Sequence, residues 1–345
     1  MRAARLLEPG KISIVDVDVP RVKGCEVLVR VGAAGVCHSD VYFRKGFFGD
    51  VSTRDLGFPI PITLGHEISG TIAEVGDEVQ GFSKGDNVVV YTFVGDGICH
   101  YCRSGEEQLC INPRHIGGYV DGGYAEYVKV PHYRYLFKIK KLSHVEAAPL
   151  TCAGLTAFRA VRKAELDPSK FVLIVGAGGG LGTIAIQVAK ATSQAEVIAV
   201  DIREEALEAA KKVGADIVIN GRTKDVIGEI KRLTDNRGVD AVIDFVNSNA
   251  TLSTYPNALA KRGKYILVGL YGGQIVYKSP IIALTEMQFI GSFVGNQADL
   301  AGVLALAEKG LVKPLITKVR KLEEINDALD DLEQGKVVGR QVLIP

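Results

Sequence analysis

The sequence predicts an α/β protein with two domains, one antiparallel and barrel-like, the other built on a doubly wound parallel sheet. The chain has 345 residues, and at roughly 100–200 residues per domain this length favours two domains. Its first part consists of short alternating runs broken by glycine. Its later part alternates apolar runs with helical patterns, and the change falls near Pro149.

The first domain is predicted from segments in which apolar and polar residues alternate between turn-forming glycines. These segments are CEVLVRVGAAGVC, GHEISGTIAEVGDEV, GDNVVVYTFVG and GGYAEYVKVPHYRYLFKI. Such alternation is typical of antiparallel strands with one buried face. We therefore expect a barrel-like domain over residues 1–150.

The second domain begins its regular pattern at Phe171. The strand candidates are FVLIVG, AEVIAVD, DIVIN, VDAVIDFV, KYILVGL and FIGSFVG, and TIAIQVAKA, REEALEAAKKVG, KDVIGEIKRLT and TLSTYPNALA between them have helical spacing. Strand–helix alternation predicts a parallel, doubly wound sheet over residues 151–295. After Gly295 follow two helical patterns, QADLAGVLALAEKG and LEEINDALDDLEQG, and a strand, GRQVLIP. We expect this segment, 296–345, to complete the first domain.

Composition excludes several classes of protein. The 41 basic and 40 acidic residues nearly cancel, which argues against a nucleic-acid or membrane-surface partner. No apolar run approaches the roughly 20 residues of a spanning helix. The start, MRAARLLEPGKISIVDVDVP, lacks the apolar stretch of a signal peptide. We therefore expect a cytoplasmic protein.

A glycine-rich turn, GAGGGLG, follows the run FVLIV and precedes a helical pattern. Glycines let the backbone approach a pyrophosphate, and a helix N-terminus offers it free N–H groups. Gly176, Gly179 and Gly182 fit G-x-x-G-x-x-G, with Gly178 and Gly180 as extra glycines, so the usual G-x-G-x-x-G spacing is not met. A turn that only packs the helix on the sheet is the alternative.

An acidic residue, Asp201, ends the next predicted strand. A carboxylate there can accept hydrogen bonds from the adenosine ribose hydroxyls and repels a 2′-phosphate. Arg203 lies close by and weakens that preference. Turn and acid together predict a Rossmann-type dinucleotide site that selects NAD over NADP.

Three of the six cysteines lie in one short segment with the spacing D-x2-C-x2-C-x7-C, formed by Asp96, Cys99, Cys102 and Cys110. Clustered cysteines in a reducing compartment favour a metal site over disulfides. Two thiolates three positions apart can bind one tetrahedral zinc. Asp96 would be the fourth ligand, and His100 competes with it.

A second set of potential ligands is dispersed along the chain. Cys37 lies in GVCHSD, His66 and Glu67 in LGHE, and Cys152 in PLTCAG. Spacing alone does not bring them together. Cys152 as a small buried residue and His66 as a core histidine remain open alternatives.

These motifs, in this order, resemble the zinc-dependent medium-chain alcohol dehydrogenases over essentially the whole chain. The most specific stretch is GHEISGTIAEVGDEVQGFSKGDNVVV, and the closest resemblance is to archaeal, thermophilic NAD-dependent members. The resemblance implies a chaperonin-10-like β-barrel catalytic domain and a Rossmann domain. It also implies a homotetramer or homodimer, with ILVGL and FIGSFVG at the dimer seam.

The resemblance implies two zinc ions per subunit. Cys37, His66 and Cys152 would hold the catalytic zinc, with Glu67 beside it as an alternative ligand, and the segment from Asp96 to Cys110 would hold the structural zinc. Asp40 would orient His66. Ser39 would hydrogen-bond the substrate oxygen, and His38 would assist proton transfer.

The resemblance also assigns cofactor and substrate contacts. NAD would be bound by Gly176, Gly179, Gly180, Gly182 and Asp201, by Val268, Gly269, Leu270 and Val294 at the nicotinamide end, and by Arg340 at the pyrophosphate. The substrate wall would be Phe48, Phe93, His115 and Phe293. Plain strand core is the alternative for Val268 and Leu270, and a surface charge is the alternative for Arg340.

The implied activity is reversible oxidation of primary or secondary alcohols to aldehydes or ketones, by hydride transfer to NAD from a zinc-bound alkoxide. A polyol or amino-alcohol dehydrogenase on the same scaffold is an alternative. A zinc-stabilised NAD-binding protein without catalysis is another. A zinc-free quinone reductase is disfavoured, because it lacks the set that Cys37, His66 and Cys152 form in this chain.

The position of Tyr42 departs from the family pattern, in which many members carry a proton-relaying histidine. A tyrosine hydroxyl titrates too high to be an efficient base at neutral pH. We predict that Tyr42→His leaves turnover intact or raises it near neutral pH, as a pH–rate profile would show. Collapse of turnover at unchanged zinc content would contradict a role confined to proton relay.

Overall fold

The computed structural model describes residues 1–48 and 51–345, which form two compact units. The first unit contains Met1–Leu155, Asn296–Glu308 and Ile316–Pro345, and the second contains Thr156–Gly295 and Lys309–Leu315. Two segments thus differ from the expected division of the chain: residues 151–155 belong to the first unit, and Lys309–Leu315 belongs to the second. For Lys309–Leu315 the reason is local, because the Lys313 N–H donates to Gln187 Oε1 and Gln187 Nε2 donates to the Lys313 carbonyl.

Strands dominate the first part of the chain, and strands alternate with helices in the later part. The strands are β1 (Arg2–Glu8), β2 (Lys11–Asp16), β3 (Val27–Val36), β4 (Phe47–Phe48), β5 (Val51–Ser52), β6 (Ile62–Thr63), β7 (Glu67–Val75), β8 (Asn87–Val90), β9 (Tyr127–Val130), β10 (Leu136–Lys138), β11 (Phe171–Val175), β12 (Glu196–Asp201), β13 (Ile217–Asn220), β14 (Val239–Asp244), β15 (Leu259–Leu267), β16 (Gln288–Gly291), β17 (Ile316–Lys321) and β18 (Arg340–Ile344). The α-helices are α1 (His38–Lys45), α2 (His100–Arg103), α3 (His144–Ala147), α4 (Ala153–Ala164), α5 (Gly180–Thr192), α6 (Glu204–Lys212), α7 (Val226–Leu233), α8 (Asn249–Thr254), α9 (Ser279–Thr285), α10 (Gln297–Glu308) and α11 (Ile325–Glu333). Short 3-10 helices cover Glu107–Leu109, Tyr133–Tyr135, Ala148–Thr151, Tyr255–Ala258 and Leu322–Glu324.

The first unit is built on a sheet with the strand order β10–β8–β7–β3–β18–β17, in which β9 also pairs with β3. Its pairs are antiparallel except for β17 and β18, which run parallel. The antiparallel, barrel-like prediction therefore describes most of this sheet. The sequence did not suggest β17, because ITKVRK carries its charges on a largely exposed strand.

The second unit contains a parallel sheet with the order β13–β12–β11–β14–β15–β16. Its central strand, FVLIV, is almost wholly buried, as expected for a parallel strand covered on both faces. The chain adds strands on one side of β11 and then continues on the other side from β14. Ligands of such sheets bind at the carboxyl ends of the strands where this reversal occurs, which is where GAGGGLG follows β11.

One predicted helix is shorter than expected. The pattern TLSTYPNALA suggested a single helix, but α8 ends at Thr254 and a 3-10 turn covers Tyr255–Ala258 before β15 begins at Leu259. Pro256 has no N–H group to continue the helical hydrogen bonds.

Across the described ranges, no helix is both long enough and apolar enough to cross a membrane.

The tight packing of α6 on the glycine turn gives a stability prediction. A Cβ at Gly178 would lie 2.3 Å from Ala206 Cβ and 2.4 Å from Ala206 Cα, whereas a Cβ at Gly291 would meet nothing within 4 Å. Gly178→Ala is expected to lower the free energy of unfolding by roughly 1–3 kcal/mol, since α6 must shift. Gly291→Ala is the control and should stay near wild type in denaturant titration. Equal effects of the two substitutions would contradict the packing argument.

Candidate active site

The structure brings the three dispersed ligand candidates of the first unit together. One ligand atom from each of Cys37, His66 and Cys152 lies within 4.8 Å of the others, and all three residues are buried. Cys37 directly follows β3 and His66 directly precedes β7, and these strands are antiparallel neighbours with Gly35 opposite Glu67. Sheet register therefore places Cys37 and His66 at one end of the pair, and the turn Ala148–Thr151 delivers Cys152.

Asp40 contacts two of these three residues. Its Oδ2 accepts a hydrogen bond from the Cys37 backbone N–H at 3.1 Å and from the Tyr124 hydroxyl at 2.6 Å. Its Oδ1 lies 3.2 Å from His66 Nδ1. Burial lowers the pKa of His66, but the Asp40 carboxylate outweighs burial and raises it well above its ordinary value. Asp40 thus occupies the position that would leave Nε2 of His66 for a metal.

Glu67 and Arg340 form a buried ion pair beside this group. Arg340 Nη2 donates to Glu67 Oε1, and Arg340 Nη1 donates to the Val36 carbonyl at 3.4 Å. Burial raises the pKa of Glu67 above its ordinary value, and the Arg340 guanidinium opposes this by stabilising the carboxylate. Arg340 is 4% exposed, so the alternative of a surface charge is wrong. Its contact with pyrophosphate stays a prediction, since its described partners lie in the first unit.

The chemistry of this donor set fits a catalytic zinc site. Two sulfur ligands and one imidazole leave a fourth position for water or substrate, as in catalytic zinc sites. The hydrogen bond from Cys152 and the nearby Arg340 guanidinium hold the pKa of Cys37 well below its ordinary value. The thiolate is the form of cysteine that binds metal.

The compact cysteine segment forms the second group. Ligand atoms of Asp96, Cys99, Cys102 and Cys110 lie within 4.8 Å of one another. The Asp96 Oδ1 atom accepts the N–H groups of Ile98 and Cys99, both at 3.0 Å, and these bonds lower the pKa of its carboxyl. The competing candidate His100 is exposed and is not part of this group, so the geometry favours Asp96 as fourth ligand.

Aromatic rings border the first group. The ring centroid of Phe93 lies 6.3 Å from that of His66 and 5.1 Å from that of His115. Phe48 lies 5.4 Å from Tyr42 on α1. Rings that the sequence did not single out connect these two ends, with centroid distances of 4.3–5.7 Å: Phe43, Phe58 and Tyr119. Three of the four predicted wall residues, Phe48, Phe93 and His115, therefore belong to one continuous aromatic series.

The remaining residues predicted around the substrate have separate positions. The Ser39 Oγ atom lies 3.5 Å from Cys37 Sγ, and His38 is exposed at the start of α1. Burial lowers the pKa of His115 to about 4, so this ring is neutral at ordinary pH. Phe293 lies in the second unit and is 43% exposed.

The glycine turn of the second unit leaves space beside the N-terminus of α5, where a phosphate group would fit. A Cβ at Gly182 would lie 2.4 Å from the Gly176 carbonyl oxygen, whereas a Cβ at Gly179 would approach no atom closer than 3.4 Å. Gly179 caps α5, and Gly180 is its first residue. The Asp201 Oδ2 atom accepts the Gly178 N–H at 3.1 Å. The acid and the turn therefore meet at the N-terminus of α5, where a dinucleotide would bind.

Residues predicted at the nicotinamide end follow β15 and β16. A Cβ at Gly269 would lie 2.3 Å from the Val246 carbonyl oxygen, so the backbone passes closely there. Val268 is 9% exposed, Val294 is 8% exposed and Leu270 is 50% exposed. The alternative of plain strand core therefore does not hold for Leu270.

The chain matches known dehydrogenases over its full length. Residues 23–141 match the family described as alcohol dehydrogenase GroES-like domain, and residues 180–309 match the family described as zinc-binding dehydrogenase. The NAD-dependent alcohol dehydrogenases of Saccharolobus solfataricus and Sulfurisphaera tokodaii are each 60% identical to it over 347 residues, with 100% of both chains covered. The D-arabinose 1-dehydrogenase (NADP(+)) of Saccharolobus solfataricus is 41% identical over 338 residues, covering 97% of this chain and 94% of that protein.

A solved structure gives the same result. The alcohol dehydrogenase from the hyperthermophilic archaeon Aeropyrum pernix has a TM-score of 0.92 and 42% sequence identity, with 100% of both chains covered. The matched families cover both units, and the full-length relatives leave no part of the chain outside the comparison. The chain therefore belongs to the zinc-dependent medium-chain alcohol dehydrogenase family.

Proposed function

We propose that this protein is an NAD-dependent dehydrogenase that interconverts primary or secondary alcohols with aldehydes or ketones, using one catalytic and one structural zinc ion per subunit. The observation that carries the proposal is the buried group of Cys37, His66 and Cys152, whose ligand atoms lie within 4.8 Å of one another. Two thiolates, one imidazole and an open fourth position suit a zinc that binds substrate.

When bound, zinc supplies Lewis acidity, which lowers the pKa of an alcohol, and NAD supplies the hydride acceptor. The chain's own residues hold both groups and handle the proton. Cys37, His66 and Cys152 would bind the metal, and Asp40 holds the Nδ1 side of the imidazole. Asp96, Cys99, Cys102 and Cys110 would bind the structural ion in their local segment.

Proton handling falls to α1. Ser39, whose Oγ lies 3.5 Å from Cys37 Sγ, has a hydroxyl that can accept the alcohol proton and pass another on. Tyr42 lies on the same helix, but an unperturbed tyrosine hydroxyl titrates too high to serve as a base at neutral pH. His38, exposed at the start of α1, is therefore the candidate for the outer step of the relay.

Cofactor choice rests on the glycine turn and Asp201. The turn at Gly179 lets a pyrophosphate approach the N-terminus of α5. The Asp201 carboxylate would accept ribose hydroxyls and repel a 2′-phosphate. Val268, Gly269, Leu270 and Val294 would line the nicotinamide end.

The aromatic series of the first unit supports apolar substrates. Phe48, Phe93 and His115 offer ring surfaces, and the neutral His115 adds no charge to them. A specific observation favours a second candidate, since the relative named D-arabinose 1-dehydrogenase is 41% identical to this chain. A polyol activity is therefore the alternative that a substrate assay must separate.

The decisive experiment is a substrate panel on the zinc-replete enzyme, comparing benzyl alcohol and butan-2-ol with sorbitol and threonine, with NAD and NADP. Cys37→Ser is expected to lower kcat for NADH formation by roughly 100-fold or more, because a zinc ligand is lost, while NAD still binds. Cys25→Ser is the matched control, since Cys25 lies outside both ligand groups, and should match wild type. Unchanged turnover in Cys37→Ser would contradict the function. Preference for sorbitol would favour the polyol candidate, and preference for threonine would favour an amino-alcohol dehydrogenase.

We also propose that the protein is a homo-oligomer, a homotetramer or homodimer, with its dimer seam along β16. Within the described residues, β16 is an edge of the parallel sheet, and an unpaired edge invites pairing with a second copy. The segment between β15 and β16 carries apolar side chains that are exposed to water: Val276 is 85% exposed and Leu284 is 82% exposed.

We also propose a cytoplasmic location. Each of the six cysteines is free, which fits the reducing environment of a cytoplasmic protein.

Substitutions that introduce charge test the proposed dimer interface. Val276→Glu combined with Leu284→Glu should shift the protein toward monomers, because a carboxylate is costly to bury in an apolar interface. Leu311→Glu is the control, since Leu311 is also exposed, by 51%, in the same unit. Light scattering after size exclusion measures the mass. An unchanged mass in the double variant would place the interface elsewhere.

A further inference from the structure

Tyr124 is a fully buried residue that the sequence alone did not single out. Its side chain is 0% exposed, and its hydroxyl has one proton to donate. Two acceptors are in reach, Asp40 Oδ2 at 2.6 Å and the Gly35 carbonyl at 3.2 Å. The carboxylate oxygen is the closer of the two, so it is the main acceptor of this hydrogen bond. Burial, together with Asp40, raises the pKa of Tyr124 well above its ordinary value, so the hydroxyl remains a donor.

The backbone and ring of Tyr124 also meet the segment that leads into His66. The Tyr124 N–H donates to the Leu64 carbonyl at 3.0 Å, and the Gly123 N–H donates to the Gly65 carbonyl at 2.8 Å. A Cβ at Gly65 would lie 2.6 Å from Tyr124 Cδ1, and Gly65 has a φ of +96°. Only glycine suits both the conformation and the space. The Tyr124 ring therefore packs directly on the residue before His66.

Asp40 connects these contacts to the metal-binding group. The same carboxylate accepts the Cys37 N–H at 3.1 Å and lies 3.2 Å from His66 Nδ1. We propose that Tyr124 is a positioning residue for the catalytic zinc, and that its hydroxyl fixes the Asp40 carboxylate between Cys37 and His66. This inference deepens the proposed function and rests on it.

The physical reason is orientation. Two donors, the Tyr124 hydroxyl and the Cys37 N–H, fix Oδ2 and so keep Oδ1 turned toward His66. Without the hydroxyl, the N–H is the one donor left on Oδ2 among these contacts. Outer partners of metal ligands typically change metal affinity by about 10- to 100-fold when they are lost. We expect an effect of that size for the Tyr124 hydroxyl.

The second unit provides a matched control. Tyr265 is also 0% exposed, and its hydroxyl donates at 2.7 Å to Asp244 Oδ2, whose residue is 0% exposed. Tyr265→Phe therefore removes a buried tyrosine–aspartate hydrogen bond of nearly the same length, in a unit that contains neither ligand group. It reports what the loss of such a bond does to stability alone.

The experiment follows zinc transfer from the full-length, zinc-replete protein to a chromogenic chelator, without alcohol or NAD. Zinc release from the two sites should give separate kinetic phases, and the phase that is missing in Cys37→Ser belongs to the catalytic site. Tyr124→Phe keeps the ring on Gly65 and is expected to accelerate that phase about 10-fold or more, and to shift the visible bands of the cobalt-substituted site. Tyr265→Phe should change neither. In an Asp40→Ala background, which lacks the acceptor, Tyr124→Phe should add little, because its effect passes through Asp40.

The outcomes separate the inference from the function. A catalytic-site phase that is present in wild type and unchanged in Tyr124→Phe overturns the role of Tyr124 and leaves the proposed function standing. An effect of Tyr124→Phe that is equally large in the Asp40→Ala background also overturns it. If wild type and Cys37→Ser show the same zinc-release phases, the proposal of a catalytic zinc is itself contradicted.

Discussion

The interior of the first unit must accommodate charge, and this constraint shapes the sheet around it. Asp40 and Glu67 are 0% exposed and Arg340 is 4% exposed, beside three residues suited to zinc. A buried charge without a partner costs several kcal/mol, so each one needs a counterpart nearby. Arg340 meets Glu67 because β18 pairs with β3, which pairs with β7 on its other side. The return of the chain to this sheet thus places a guanidinium where the carboxylate needs one.

The two candidate zinc sites are built by different means. In the compact segment, backbone N–H groups of Ile98 and Cys99 fix the Asp96 carboxylate, so nearly all of the site comes from one short loop. In the dispersed site, the ligands come from separate elements of the first unit, and Asp40 on α1 is shared between Cys37 and His66. A local loop can be altered as a unit, whereas a change in any of these elements disturbs the dispersed site.

This difference also decides what the sequence could predict. The compact cysteine segment and the glycine turn could be predicted from the sequence, because their geometry follows from residues a few positions apart. Cys37, His66 and Cys152 needed the family resemblance, since sheet register and a turn bring them together. The contact between Arg340 and Glu67 spans 273 positions and leaves no local pattern. The role of Tyr124 could not be predicted from the sequence for a similar reason, because GGYAEYV has the alternation of an ordinary strand. In the second unit, the buried runs predicted the strands, and Pro256 shortened one helix.

The order of segments in the first unit has a consequence for biosynthesis. Its sheet joins β3 to β18, and the contact between Arg340 and the Val36 carbonyl spans 304 positions. The whole of the second unit is translated between these segments. Domains generally fold as units while the ribosome delivers the chain, so the parallel-sheet unit can fold once Leu315 has emerged. The end of β3 that pairs with β18 has no partner until β18 has been translated, and Glu67 cannot contact Arg340 until then. In this interval the other residues of the metal-binding group are already translated, but Glu67 still lacks its partner Arg340.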